Sequence, residues 1–213
     1  MYQHQYTPPY DRTALDGIID DIKANWRSGF NTEQEAFARD ISQKLIGLQG
    51  PPGTGKTYTV APAAVARALS YAGDEPFTGQ VSAHAHDAVD EVLDDANDVL
   101  EVLDTAGCLL RPVRLFRIYP SGIPAGSEEI QGQFIEHYSY NYDRDTLVGE
   151  FEAHFEDAES HPILVFGPPV TIRGLIDKLV MDGVIDGDRI DQLIQGARLT
   201  STSSSTRWST RRR

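Results

Sequence analysis

The residues best suited to chemistry form one run, Gly50-Pro51-Pro52-Gly53-Thr54-Gly55-Lys56-Thr57, which satisfies G-x-x-x-x-G-K-[ST]. Glycines at these positions let the backbone curl so that its N–H groups converge on phosphate oxygens. A helix starting at Lys56 adds the positive end of its dipole. Lys56 is then placed to reach the β and γ phosphates of a nucleotide, and the Thr57 hydroxyl to ligate Mg²⁺. The flanks suit this reading, with an apolar strand Leu45-Ile46-Gly47-Leu48 before the loop and an alanine-rich helix, Lys56 to Tyr71, after it.

Two further segments bear on the same chemistry. Upstream, Phe30-Asn31-Thr32-Glu33-Gln34 offers Gln34, whose amide can pair with both a donor and an acceptor on an adenine edge. Taken alone, it reads more readily as a solvated glutamine at a helix start. Downstream, Val81-Ser82-Ala83-His84-Ala85-His86 closes a strand and opens a helix, where small polar and imidazole groups can meet a nucleic-acid backbone. Two histidines with no cysteine beside them make a poor metal set.

The elements that must position these groups follow from periodicity. Asp11 to Trp26 is helical, with Leu15, Ile18, Ile19 and Ile22 on one face. Thr32 is read as the cap of a helix from Glu33 to about Lys44. Gln80 to Ala83, Val113 to Ile118 and Ile163 to Phe166 read as strands. Asp87 to Thr105, Thr171 to Met181 and Asp188 to Gln195 read as helices, the first closed by Gly107. Ser127 to Ser160 is acidic and aromatic without a clean period and is read as an inserted helical segment. Strands alternating with helices predict an α/β fold with a mostly parallel sheet.

Composition narrows the class. The 213 residues include 32 Asp and Glu against 19 Lys and Arg, giving a net charge of −13, and 40% are hydrophobic. Only Lys23, Lys44, Lys56 and Lys178 are lysines, so one of four sits where nucleotide chemistry needs it. Acidity with few lysines fits a halophilic protein and argues against a dedicated basic nucleic-acid binder. Cys108 is the single cysteine, which excludes an internal disulfide. With no apolar run long enough to span a membrane and a polar start, the expectation is a cytoplasmic protein with no membrane partner.

Asn31 and Gln34, the Gly50–Thr57 loop, and Ser82 to Val89 together resemble the Q motif, motif I and motif Ia of superfamily 1 helicases. The likeness is to the 5′-to-3′ branch that includes the nonsense-mediated-decay helicase and the replication helicase-nuclease. Ile163 to Leu175 is similar to the strand and loop that follow in that family, with Pro168 where a threonine often stands. The resemblance implies a P-loop NTPase (RecA-like) domain over 28–199, preceded by a helical lead-in over 1–27 and carrying an insertion near 120–160. It implies ATP and Mg²⁺ as cofactors and single-stranded DNA or RNA as partner. By that carry-over Gln34 reads adenine, Gly50, Pro51, Pro52, Gly53, Thr54, Gly55, Lys56 and Thr57 hold the phosphates and metal, and Ser82, His84 and His86 lie near the strand.

Two parts that the family uses for hydrolysis are missing from the sequence. No apolar strand ends in Asp-Glu, as motif II does, and the second RecA-like domain with its arginine finger is absent. Residues 200–213 are Ser, Thr and Arg with one Trp. Back-translated with GC-rich codons, part of this tail reads Phe-Asp-Leu-Val-Val-Asp-Glu in another frame, the expected motif II. The expectation is therefore a truncated or frameshifted helicase domain that binds nucleotide and hydrolyses it poorly. Without the four tail arginines the count is 15 basic against 32 acidic residues, or −17. The alternatives are another P-loop ATPase of the AAA type, and a non-enzymatic nucleotide-dependent binding module or decayed remnant.

Overall fold

The computed structural model describes residues 8–42, 55–122, 131–157 and 159–186. The strand expected at 45–48, the first five residues of the phosphate loop, the helix expected at 188–195 and the tail lie outside these.

Four parallel strands form one sheet in the order β1-β4-β2-β3: β1 (Thr78–Val81), β2 (Arg114–Tyr119), β3 (Ile135–Ser139) and β4 (Ile163–Phe166). The register sets Gln80 against Val165, Leu115 against Leu164 and Phe116 against Glu136. Side chains alternate across the sheet. Leu115, Leu164 and Phe166 join a core with helices α1 (Arg12–Asn25), α3 (Lys56–Ser70) and α4 (His86–Thr105). Phe116, Ile118, Ile163 and Val165 join a second core with α5 (Arg144–Glu156) and α6 (Pro169–Met181). The chain is thus α/β, with helices on both faces of a parallel sheet. This explains why β4, Ile-Leu-Val-Phe, is apolar at every position.

The helices form for local reasons that the sequence carries. Asp11 caps α1 by accepting from the N–H groups of Thr13 and Ala14. Leu15, Ile18, Ile19 and Ile22 are buried against α3, each worth about 1.5–3 kcal/mol relative to exposure. In α3 the alanines at 61, 63, 64, 66 and 68 are all buried. Small side chains let α1, α2 (Thr32–Arg39) and α4 all pack against this one helix. Helix α4 ends in a Schellman arrangement, with Cys108 N–H bonded to Leu103 C=O and Gly107 N–H to Asp104 C=O.

Four expectations need correction. The cap of α2 is Asn31 and not Thr32, since Asn31 Oδ1 accepts from the N–H groups of Glu33 and Gln34. That helix stops at Arg39 and does not reach Lys44. Asp40 Oδ1 accepts from the N–H and hydroxyl of Ser42, a local alternative that competes with helix. Strand β1 lies at 78–81 and not 80–83, because its pairing with Ile163–Phe166 sets its ends. The 127–160 segment is not wholly helical: β3 adds to the sheet edge, and α5 follows it. The pattern of β3 is faint because four of its five residues are only half-buried.

Candidate functional site

Gly55 is the N-cap of α3, with φ +75° and ψ 28°, a left-handed conformation that favours glycine. Being glycine, it supplies no side-chain cap of its own. A helix start of this kind suits an anion. Lys56 and Thr57, both half-buried, open the helix, and the Thr59 hydroxyl donates to the Gly55 carbonyl at 2.8 Å.

Gln34 comes to this same point. Its Nε2 lies 2.9 Å from where a Cβ on Gly55 would stand, so the two motifs meet although 21 positions separate them. Gln34 closes a capping box: the Asn31 N–H donates to Gln34 Oε1 at 2.9 Å, while Asn31 Oδ1 accepts from the Gln34 N–H. Among the described residues Nε2 makes no hydrogen bond.

The loop between α1 and α2 sets this approach. Arg27 has φ +44°, and Gly29 has φ +66° with the space for a Cβ only 2.7 Å from the Lys23 carbonyl oxygen. Arg27 bonds Asp95 and Asp98 of α4, each at 2.6 Å, and its guanidinium lies 4.9 Å from the Trp26 ring centroid. Trp26 stacks on Tyr58 of α3 at 4.4 Å, and the Tyr58 hydroxyl donates to the Gly29 carbonyl. The hydrogen bond that Arg27 donates to Asp98 raises the Arg27 pKa. Burial raises that of Asp95 and outweighs the lowering by Arg27. Trp26 Nε1 is buried without an acceptor among the described residues.

The nucleic-acid candidates lie where β1 ends and α4 begins. All four strands are parallel, so their carboxyl ends share one edge, the side on which open α/β sheets bind ligands. Ser82 accepts from Gln80 Nε2 at 3.4 Å, and His84 is exposed. His86 is the first residue of α4 and is half-buried. Its Nδ1 accepts from Arg117 at 3.0 Å, since a guanidinium only donates; the neutral ring then carries its proton on Nε2. Arg117 is fully buried. It also bonds Asp90 at 2.6 Å and the Ile118 carbonyl at 2.9 Å, and lies over the Tyr119 ring at 4.2 Å. Tyr119 stacks between His86 and His137, with centroids 6.2 and 6.0 Å away.

Sequence reasoning missed Arg117, Asp90, Tyr119 and His137. A signal was present: Arg114 and Arg117 are an odd number of positions apart, so they face opposite sides of a strand that is covered on both. Arg114 takes the other side, bidentate to Glu136 and bonded to Glu150 over the Phe116 ring. Hydrogen bonding to Glu136 raises the Arg114 pKa, while burial and the hydrogen bond to Glu136 raise that of Tyr138.

The described strands end without a catalytic carboxylate: Ser82, Pro120, Tyr140 and Gly167 follow β1, β2, β3 and β4. The described residues contain no group of three metal-ligating side chains, and none of their helices is long and apolar enough to cross a membrane. No protein-family model matches the chain, and no curated protein or solved structure matches it either.

Proposed function

We propose that the chain is a nucleotide-binding domain of the P-loop, RecA-like type, akin to the first domain of a superfamily 1 helicase, and that it binds Mg-ATP with little hydrolysis. The observation that carries this reading is the meeting of Gln34 with Gly55, at the start of a helix that opens with Lys56 and Thr57. Base-side and phosphate-side groups from distant parts of the sequence converge there. The left-handed Gly55 at the start of a helix fits a bound phosphate. Lys56 would hold the phosphates and Thr57 the Mg²⁺, which would supply charge neutralisation across the phosphate oxygens.

Weak hydrolysis is proposed because none of the described strands ends in the Asp-Glu pair that positions metal and water. Single-stranded DNA or RNA is the proposed partner at Ser82, His84 and His86, and the cytoplasm the proposed compartment. Thermal unfolding of the full chain tests the nucleotide reading. Mg-ATP is expected to raise the midpoint for the native chain and to leave Lys56→Ala unmoved. Equal shifts in both proteins would remove it, and rapid phosphate release abolished by Lys56→Ala would remove the claim of weak hydrolysis.

A further inference from the structure

We propose that Tyr142 and Arg144 extend the nucleic-acid site across the carboxyl edge of the sheet, the tyrosine ring stacking on a base of a single strand and the guanidinium meeting a phosphate. The inference rests on the nucleic-acid partner proposed above and adds contacts that no motif in the sequence marks. The sheet order sets the path. Among the described strands β1 and β3 are the outermost, so the Ser82–His86 segment after β1 and the turn after β3 stand at opposite ends of one row of carboxyl termini. Three inter-strand spacings, about 14 Å, separate those ends, a length that a few nucleotides cover.

Two independent observations single out the turn after β3. Tyr142 is the only exposed Phe, Tyr or Trp among the described residues, with 80% of its surface in solvent. It is nevertheless held on a closed turn. The N–H groups of Tyr142 and Asp143 both donate to the Ser139 carbonyl, at 3.1 and 2.7 Å. The Asp143 carboxylate accepts from the Ser139 N–H at 2.6 Å, and the Tyr140 hydroxyl donates to the Gly174 carbonyl of α6 at 3.0 Å. A ring presented this way loses little freedom when a base stacks on it. Arg144, exposed, opens α5 two positions further on. Among the described arginines it alone makes no hydrogen bond or ion pair; the other eight bond carboxylates or main-chain carbonyls. In a chain of net charge −13, an unneutralised guanidinium beside the one exposed aromatic ring is a local exception. Single-strand grooves use this pairing: the ring takes a base face of any sequence and the cation takes the backbone.

The test is fluorescence anisotropy of labelled oligo(dT) and oligo(U) on the full chain over a range of potassium chloride concentrations, with photo-cross-linking from 5-iodouracil placed along the strand. Both side chains are exposed, so the variants should keep the circular dichroism of the native chain. Tyr142→Ala is expected to weaken binding roughly ten-fold, and Tyr142→Trp to keep it or tighten it. Arg144→Gln should weaken binding several-fold at low salt and reduce the slope of log affinity against log salt by about 0.7. Iodouracil is expected to label Tyr142. Unchanged binding in Tyr142→Ala, or cross-links confined to residues 82–86, overturns the proposal and leaves the partner reading standing. If no single strand binds the native chain, that reading fails and takes this one with it.

Discussion

Helix α4 holds two arginines by the same chemistry in opposite settings. Near its start, Asp90 and His86 grip Arg117, which is fully buried in the sheet. Midway along, Asp95 and Asp98 grip Arg27, whose side chain is 42% exposed on a loop. Every charged atom of a buried guanidinium must find a partner or the fold suffers, so Arg117 acts mainly in stability. Arg27 keeps much of its hydration and contributes less energy. Its weight falls on the shape of the loop that leads into the helix carrying Gln34. One helix thereby braces the sheet at one point and the base-side loop at another.

The largest expected effect comes from breaking the buried pair. Arg117→Ala leaves Asp90 and His86 facing a cavity and should cost about 3–5 kcal/mol in urea unfolding. Replacing Arg117 and Asp90 together with apolar residues should recover most of it. A cost for Arg117→Ala no larger than that for Arg27→Ala would erase the contrast.

A buried histidine sharpens the comparison by staying neutral. His154 is wrapped by the hydroxyls of Thr78 and Ser160, and burial pulls its pKa down from 6.5 to about 4. The unfolded chain then binds more protons between these values, so the contribution is complete above pH 6.5 and is lost as pH falls toward 4. The loss should be on the order of 3 kcal/mol. His154→Phe should flatten stability over pH 6.5–5. Below that window the lowered carboxylates of Asp16, Glu35, Asp40 and Glu136 begin to lose their own share. An unchanged pH profile in the variant would show that His154 already titrates freely.

Arg27→Ala should have the smallest effect on stability, about 1 kcal/mol, with much of it coming from Asp95 left nearly buried without its cation. Adding Asp95→Asn should restore that part. Affinity for ATP is expected to fall several-fold while affinity for inorganic triphosphate holds, because the loop positions the base and not the phosphates. A parallel loss for both ligands would place Arg27 in general stability.

Elements with strong periods and full burial are legible in the sequence: α1, α4 and β4 follow directly from where Leu, Ile and Val recur. β3 was not, because Ile-Glu-His-Tyr-Ser is an edge strand whose Glu136 and Tyr138 serve Arg114 and whose apolar pattern is weak. Lys56, Thr57 and Gln34 are identifiable by motif, yet no motif gives the orientation of the Gln34 amide. That depends on which residue caps α2, and Asn31 and Thr32 are both good caps. The Arg27 clamp was hidden for another reason: its partners are acidic residues of a helix 68 and 71 positions away, and they look like any solvated helix face.

The most direct test of a shared site for base and phosphate is photolabelling of the full chain with 8-azido-ATP and Mg²⁺, followed by peptide mapping. The azide sits beside N7, so label is expected on residues 26–34 or Tyr58, competed by ATP and lost in Lys56→Ala. Label confined to the His84–Asp90 region, or label that Lys56→Ala leaves intact, would contradict the account.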